Sequence, residues 1–264
     1  ISAMGRWPWP RSLLAQLVSE VSDLNPASIG IDIMLSEPEA GTGNDGALAA
    51  AIAQSGRVVL PVYVQSYSLP RHVQWYISQR LPLLPITELA QAARGLGHVS
   101  AIHDPDGAVR RVPAVVGVPD GFVPAFATEV VRVGVEGQGT RSSASDGGLD
   151  FRPGAQAVVG GYRMPLDSTS SMCPVFPWPP AAEQISAARL LAKAPPEALV
   201  DDRSPNAGSS PRLPDLAGKF VLIGVTAAGI GDSHETPLLA RHGAVPGMMV
   251  HAAAVNAILT GRFV

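Results

Sequence analysis

The chain has 264 residues, of which 46% are hydrophobic and 16% charged, so it can bury a full core and is not a disordered segment. Its formal net charge is -3 and its basic residues are spread thinly, which argues against a surface built for nucleic acid. The single cysteine, Cys173, excludes an internal disulfide and leaves the redox compartment open.

The first hundred residues alternate between helical and strand patterns. Apolar residues recur at helical spacing over 14–24, and over 29–35 they alternate with small or polar residues. A second helical pattern follows Asp45, which we expect to cap that helix, and residues 57–64 read as an apolar strand. This αβαβ order is typical of a parallel sheet with helices on its faces.

The middle of the chain has a different character. A helix is predicted over 85–94, and strands are predicted over 98–102 and 109–118 on either side of an Asp-Gly turn at 104–107. Residues 122–133 again show helical spacing, and short strands follow a Gly/Ser-rich link. This mixture of helices and short strands predicts an α+β portion, in contrast to the alternating helices and strands before it.

The last fifty residues return to the first pattern. The continuous apolar run Phe220–Val225 predicts a strand buried on both faces, and after a polar loop the spacing from Met248 to Leu259 predicts a helix. We therefore predict a single α/β domain with a mostly parallel central sheet and helices on both faces. Its parts are an α/β core over 1–97 and 215–264, an inserted α+β portion over about 98–191, and an irregular loop over 192–214.

Sequence motifs for the common enzyme chemistries are absent. The chain has no phosphate-binding G-x-x-x-x-G-K-[ST], no G-x-G-x-x-G after a strand, no G-x-S-x-G, and no H-E-x-x-H or paired C-x-x-C for zinc. Asp232, His234 and Glu235 have side chains that can bind a metal, but polar loops this dense are commonly just solvated. We therefore predict no catalytic residues, no cofactor and no metal, and we expect that this domain is not an enzyme.

Polar side chains follow two strands that we expect to be neighbours in the sheet. Ligands of open α/β sheets bind outside the carboxyl ends of the strands, so the loops after Leu35 and Val225 are predicted to converge on one crevice. The acidic character of these loops favours a cationic or hydroxyl-rich small molecule over a phosphate. The candidate ligand-binding residues are Asp32, Glu37, Thr226, Asp232 and His234, with Arg57 and His251 reaching the crevice from outside.

These candidates also have structural interpretations. Asp32 can cap backbone amides or pair with Arg57, and Glu37 can be a solvated loop residue. His251 lies on an apolar helix face, where a lone histidine is more often a hydrogen-bonded core residue than a ligand. The dipeptide Arg110-Arg111 places its two side chains on opposite faces of a strand, and we expect an ion pair with the preceding Asp-Gly turn.

Several segments resemble a known family when they are read in order. They are GRWPWPRSLL at 5–14, IGIDIMLSEP at 29–38, SGRVVLP at 55–61, AARGLGHV at 92–99, DPDG at 104–107 with VRRVP at 109–113, and the closing segment at 218–260. Together they resemble CHASE2 domains, the extracytoplasmic sensors of bacterial transmembrane receptors. The chain departs from that pattern at Trp178, where the family usually has Gly, and over 134–161, which has no clear counterpart.

The resemblance implies the periplasmic part of an inner-membrane receptor. Such a domain would bind an unknown small-molecule ligand and act through flanking transmembrane helices on a nucleotide cyclase, diguanylate cyclase or kinase. The resemblance is also compatible with a homodimer. A ligand-free structural or dimerisation module and a stand-alone α/β hydrolytic enzyme stay open as alternatives. No segment reaches the ~18 uninterrupted apolar residues of a membrane span, and both ends lie within a pattern, so we expect an ectodomain cut from a longer protein.

Overall fold

A computed structural model describes residues 7–41, 43–137, 148–177, 182–191, 215–226, 233–238 and 243–264. The irregular loop predicted over 192–214 and the candidate Asp232 lie outside these residues. The helices among them are α1 (Arg11–Asp23), α2 (Asn44–Ser55), α3 (Thr87–Ala92), α4 (Phe126–Gly137), α5 (Ala187–Leu191) and α6 (Gly247–Thr260). No helix in this described part of the chain is long and apolar enough to cross a membrane.

The strands are short and belong to several sheets. They are β1 (Ser28–Asp32), β2 (Val58–Val62), β3 (Tyr67–Ser68), β4 (Tyr76–Ser78), β5 (Gly95–His98), β6 (Ile102–His103), β7 (Val109–Pro113), β8 (Val115–Val118), β9 (Gly121–Pro124), β10 (Leu149–Arg152), β11 (Gln156–Val159), β12 (Tyr162–Pro165), β13 (Ser171–Met172), β14 (Phe220–Gly224), β15 (Ser233–His234) and β16 (Val245–Pro246).

The central sheet is parallel throughout and has the order β14-β1-β2-β5. The β1 strand pairs along its whole length with β14, from Ser28 beside Phe220 to Asp32 beside Gly224. The predicted α/β class with a parallel central sheet is therefore confirmed. The carboxyl ends of all four strands lie at one edge of this sheet, which is the edge where the predicted crevice would form.

The two faces of the sheet carry separate apolar clusters because side chains alternate along each strand. Ile29 and Ile31 of β1 are buried with α1 and α2. Val59 of β2 faces the opposite way and is buried with α4 and α6. Gly30 also faces α4, where a Cβ atom would come within 2.8 Å of Val130, so only a residue without a side chain lets that helix lie so close.

Small sheets surround this core. Strands β3, β4, β8 and β9 form one sheet, strands β6, β7 and β13 another, and strands β10, β11 and β12 a third. The β15 and β16 strands pair as a two-stranded ribbon just before α6. Within the segment 98–191, strands β6, β7 and β13 and strands β10, β11 and β12 form two antiparallel sheets, and α4 packs directly on the central sheet.

Four strand predictions differ from the structure, one of them the strand predicted over 98–102, where β5 ends at His98 and β6 begins at Ile102. The β1 strand ends at Asp32 rather than at residue 35, and the backbone carbonyl of Leu35 instead accepts a hydrogen bond from the N–H of Ile86. The strand predicted over 109–118 divides at Ala114 into β7 and β8, which belong to different sheets. The β14 strand is half-buried at an edge of the central sheet rather than buried on both faces, because β1 is the only strand paired with it among the described residues.

Candidate functional site

The carboxyl edge of the central sheet brings Asp32 beside the end of β14. Asp32 is half-buried and lies next to Gly224 in the parallel register, and Thr226 is exposed just after that strand. The first turn of α6 also lies here, since a Cβ atom on Gly224 would be 2.5 Å from the sulfur of Met248. Two of the predicted residues and the start of the last helix therefore share this edge.

The loop that carries Glu37 is organised by Arg11 at the start of α1. The Arg11 guanidinium donates to the backbone carbonyl of Glu37 at 3.2 Å, and its Nε donates to Asp45 at 3.2 Å. The other Asp45 oxygen accepts from the N–H of Glu39, and the Glu39 carboxylate accepts from the N–H of Arg11 at 3.1 Å. Glu37 itself is exposed, so the acidic groups beside it mainly tie α1 to the loop.

Asp45 differs from its predicted capping role. The residue lies inside α2, whose N-cap is Gly43 in the left-handed conformation, with φ of 64°. The Asp45 carboxylate turns toward the preceding loop and toward Arg11 instead of toward the first amides of the helix. The predicted cap was wrong because α2 begins at Asn44, one residue before Asp45, and the Asp45 carboxylate bonds to Arg11 and to the N–H of Glu39.

Arg57 does not reach the candidate crevice. It precedes β2, and because β2 runs parallel to β1 with Val58 beside Ile29, Arg57 lies at the amino edge of the sheet. Its guanidinium donates to Asn25 Oδ1 at 2.9 Å and to the backbone carbonyl of Pro26. Arg57 and Asp32 therefore lie at opposite edges of the sheet, and the prediction that Arg57 approaches Asp32 was wrong.

His251 is buried on the face of α6 that meets α4. Its ring packs edge-on against Phe126, with the ring centroids 5.3 Å apart. His98 at the carboxyl end of β5 is fully buried nearby, and its Nδ1 accepts a hydrogen bond from the N–H of Ser100 at 3.2 Å. Burial and then the proximity of His251 lower the pKa of His98 to about 3, so this imidazole is neutral.

His234 lies against a residue that the sequence did not single out. Its Nδ1 is 3.3 Å from Nε2 of His103, and the two rings are tilted by 44°. The backbone carbonyl of the next residue, Glu235, accepts a hydrogen bond of 2.6 Å from the N–H of Val109. These contacts join β15 to the hairpin formed by β6 and β7.

The same hairpin carries the predicted ion pairs. Arg110 donates to Asp104 at 2.8 Å and to both oxygens of Asp106, as the sequence led us to expect. Arg111 also bonds to Asp104, so the alternation of a regular strand does not separate the two arginines here. The two guanidinium groups, that of Arg111 first, lower the pKa of the Asp104 carboxyl.

Two histidines were missed for different reasons. His98 was predicted at the start of a strand, whereas it ends β5 at the same edge of the sheet where Asp32 ends β1. Since ligands bind at the carboxyl ends of parallel strands, the correct strand bounds would have made His98 a candidate as well. His103 and His234 are 131 positions apart, and no local pattern predicts their contact. Among the residues that the structure describes, no three or more His, Cys, Asp or Glu side chains form a metal-binding group.

The structure thus describes an α/β domain with polar side chains at the carboxyl edge of its parallel sheet. The model of the CHASE2 domain family matches residues 1–264. The chain therefore belongs to the CHASE2 family, a family of extracytoplasmic sensor domains that are not catalytic. No curated protein and no solved structure matches the chain.

Proposed function

We propose that this chain is the periplasmic ligand-sensing domain of an inner-membrane receptor that regulates a cytoplasmic nucleotide cyclase, diguanylate cyclase or kinase. The match to the CHASE2 family over the whole chain is the observation that carries this proposal. A sensor must bind its ligand near an element that can move, so the proposal also depends on what lies beside the candidate crevice.

The position of α6 at the carboxyl edge of the sheet supports the proposal. Asp32 lies beside Gly224, and Met248 in the first turn of α6 packs on the same glycine. A cationic or hydroxyl-rich ligand that contacts Asp32 and Thr226 would therefore lie close to the start of α6. The half-buried carboxylate of Asp32 would bind such a ligand more strongly than an exposed one, because it is less screened by water.

The relay would work through the packing of α6 on α4. Ala254 and Ala257 of α6 are fully buried, and Ala254 belongs to the same apolar cluster as Val130 of α4. Small residues in such an interface allow one helix to shift on the other by about 1–2 Å without opening a large cavity. The domain would then have two conformations that differ in the position of α6 on α4. A ligand with higher affinity for one conformation would increase its population, and flanking membrane helices would transmit the change.

The experiment uses the full-length receptor in right-side-out membrane vesicles, with the output domain's nucleotide substrate inside. Spermidine, glucose and inorganic phosphate are added outside, and the nucleotide product is measured. We expect spermidine or glucose, but not phosphate, to change the output, and Asp32→Asn to abolish that response. The matched control Asp120→Asn, in an exposed turn away from the sheet edge, should respond like the unchanged receptor.

Two outcomes would contradict the proposal. If the output is the same whether or not this domain is present, the domain does not relay a signal and the structural or dimerisation module is favoured. If a response survives in Asp32→Asn at full size, the ligand binds elsewhere and the crevice assignment fails while the sensor assignment stands.

A further inference from the structure

The distance between the facing ring nitrogens of His103 and His234 fits two ligands of one metal ion. The Nε2 atom of His103 and the Nδ1 atom of His234 are 3.3 Å apart. Zinc binds imidazole nitrogen at about 2.0–2.1 Å with tetrahedral angles, which sets two such nitrogens about 3.3–3.4 Å from each other. The two nitrogens are thus already spaced as they would be around one ion.

We propose that His103 and His234 bind a divalent transition-metal ion of the zinc, nickel or copper type. Neutral imidazole is a preferred ligand of these ions, whereas magnesium and calcium prefer oxygen. Without the ion, one of the two facing ring nitrogens donates a hydrogen bond to the other, and the donating ring has a second nitrogen that can hold its proton instead. Binding therefore replaces one N–H···N hydrogen bond with two metal–nitrogen bonds: the donating ring moves its proton to its other nitrogen, and the accepting ring already carries its proton on the nitrogen that faces away.

The protein supplies only part of the coordination. His103 is exposed and His234 is half-buried, so water can fill the other positions around the ion. Among the described residues no third His, Cys, Asp or Glu completes the group. Because the protein supplies two ligands instead of four, we expect about half the binding free energy of a four-ligand zinc site. This corresponds to a Kd of roughly 1 to 200 micromolar.

The ion would connect two elements that are distant in sequence. His103 ends β6 in the hairpin, and His234 ends β15, whose partner strand β16 leads directly into α6 at Gly247. The hydrogen bond from Val109 to Glu235 already holds the same two segments together. Metal binding would reinforce this junction and stabilise the position from which α6 starts, which goes beyond the crevice at Asp32.

The test uses the purified 264-residue chain without a histidine tag, stripped of metal with a chelator. Zinc, nickel and magnesium chlorides are titrated separately by calorimetry, and thermal unfolding is followed by circular dichroism. We expect one zinc or nickel ion per chain with a Kd in the range above, a higher Tm, and no effect of magnesium. The X-ray absorption spectrum of the bound zinc should show two imidazole ligands.

Variants distinguish this site from other metal binding. His103→Gln and His234→Gln should each weaken zinc binding at least tenfold, because glutamine keeps a hydrogen bond but provides no imidazole nitrogen. His103→Cys should retain binding through its thiolate, and the matched control His72→Gln, at another exposed histidine, should bind like the unchanged chain. Absence of binding below millimolar zinc, or equal binding by the chain and both glutamine variants, would overturn the proposal.

Discussion

Gly97 lies against the backbone of Phe126, so closely that a Cβ atom on the glycine would be 2.5 Å from the Phe126 Cα. The contact joins β5, at one edge of the central sheet, to the first residue of α4. Phe126 is fully buried and packs on His251 as well. The close contact between Gly97 and Phe126 therefore helps to position α4 against both the sheet and α6.

Substituting Gly97→Ala tests that contact. A methyl group would overlap main-chain atoms, which cannot rotate away, so we expect a loss of about 2–3 kcal/mol in the free energy of unfolding. The matched control is Gly137→Ala at the end of α4, where the nearest atom would be 3.7 Å away, so we expect no loss and a gain of up to about 1 kcal/mol from helix propensity. Urea unfolding of both variants measures the difference, and equal stabilities would contradict the packing argument.

The buried His98 predicts that acid weakens the fold. Its pKa is lowered to about 3 in the folded chain from an ordinary 6.5, so below pH 6.5 the unfolded chain binds a proton that the folded chain does not. Stability should fall by about 1.4 kcal/mol per pH unit as pH decreases from 6.5 toward 3, and this contribution should be constant above pH 6.5.

Urea unfolding at several pH values between 7 and 5 measures this slope. His98→Asn keeps an acceptor for the N–H of Ser100 but cannot titrate, so its stability should depend less on pH than that of the unchanged chain. The exposed His72→Asn serves as the control and should keep the full slope. An unchanged slope in His98→Asn would show that this histidine does not account for acid sensitivity.

Two ion pairs of different exposure should contribute unequally to stability. Arg11 and Asp45 have side chains only 14% and 12% exposed and are joined to Glu39 as well, whereas Arg152 and Asp150 are 67% and 51% exposed and 3.8 Å apart. Removing Arg11 leaves Asp45 poorly paired, so Arg11→Ala should lower the free energy of unfolding by about 1–3 kcal/mol. Arg152→Ala should change it by less than about 0.5 kcal/mol.

A double-mutant cycle on each pair isolates the interaction. The coupling of Arg11→Ala with Asp45→Asn should exceed that of Arg152→Ala with Asp150→Asn. Similar coupling in the two pairs would mean that burial does not strengthen the first one.

The isolated domain should not turn over substrates. Its family is a family of sensor domains, and its sequence contains none of the common catalytic motifs. We expect no saturable reaction with phosphatase, esterase or peptidase substrates. Turnover that disappears in Asp32→Asn but persists in Asp120→Asn would contradict this expectation and favour the hydrolytic alternative.

Much of the core could be predicted from the sequence because local patterns reflect which face of an element is buried. The alternation around Ile29 and Ile31 identified a strand with one strongly apolar face, and these residues are buried against α1 and α2. The direction of the parallel strands would also have excluded Arg57 from the crevice, since a residue before a strand lies at the amino edge.

The sequence by itself determined the alternation of helices and strands, the parallel sheet that follows from it, and the family resemblance, since each depends on residues that are close along the chain. Only the tertiary structure decided that the predicted strand over 109–118 breaks at Ala114, that Arg110 and Arg111 share Asp104, and that His103 meets His234. Local periodicity carries no record of which distant segments pair, because pairing is selected by the packing of the whole domain.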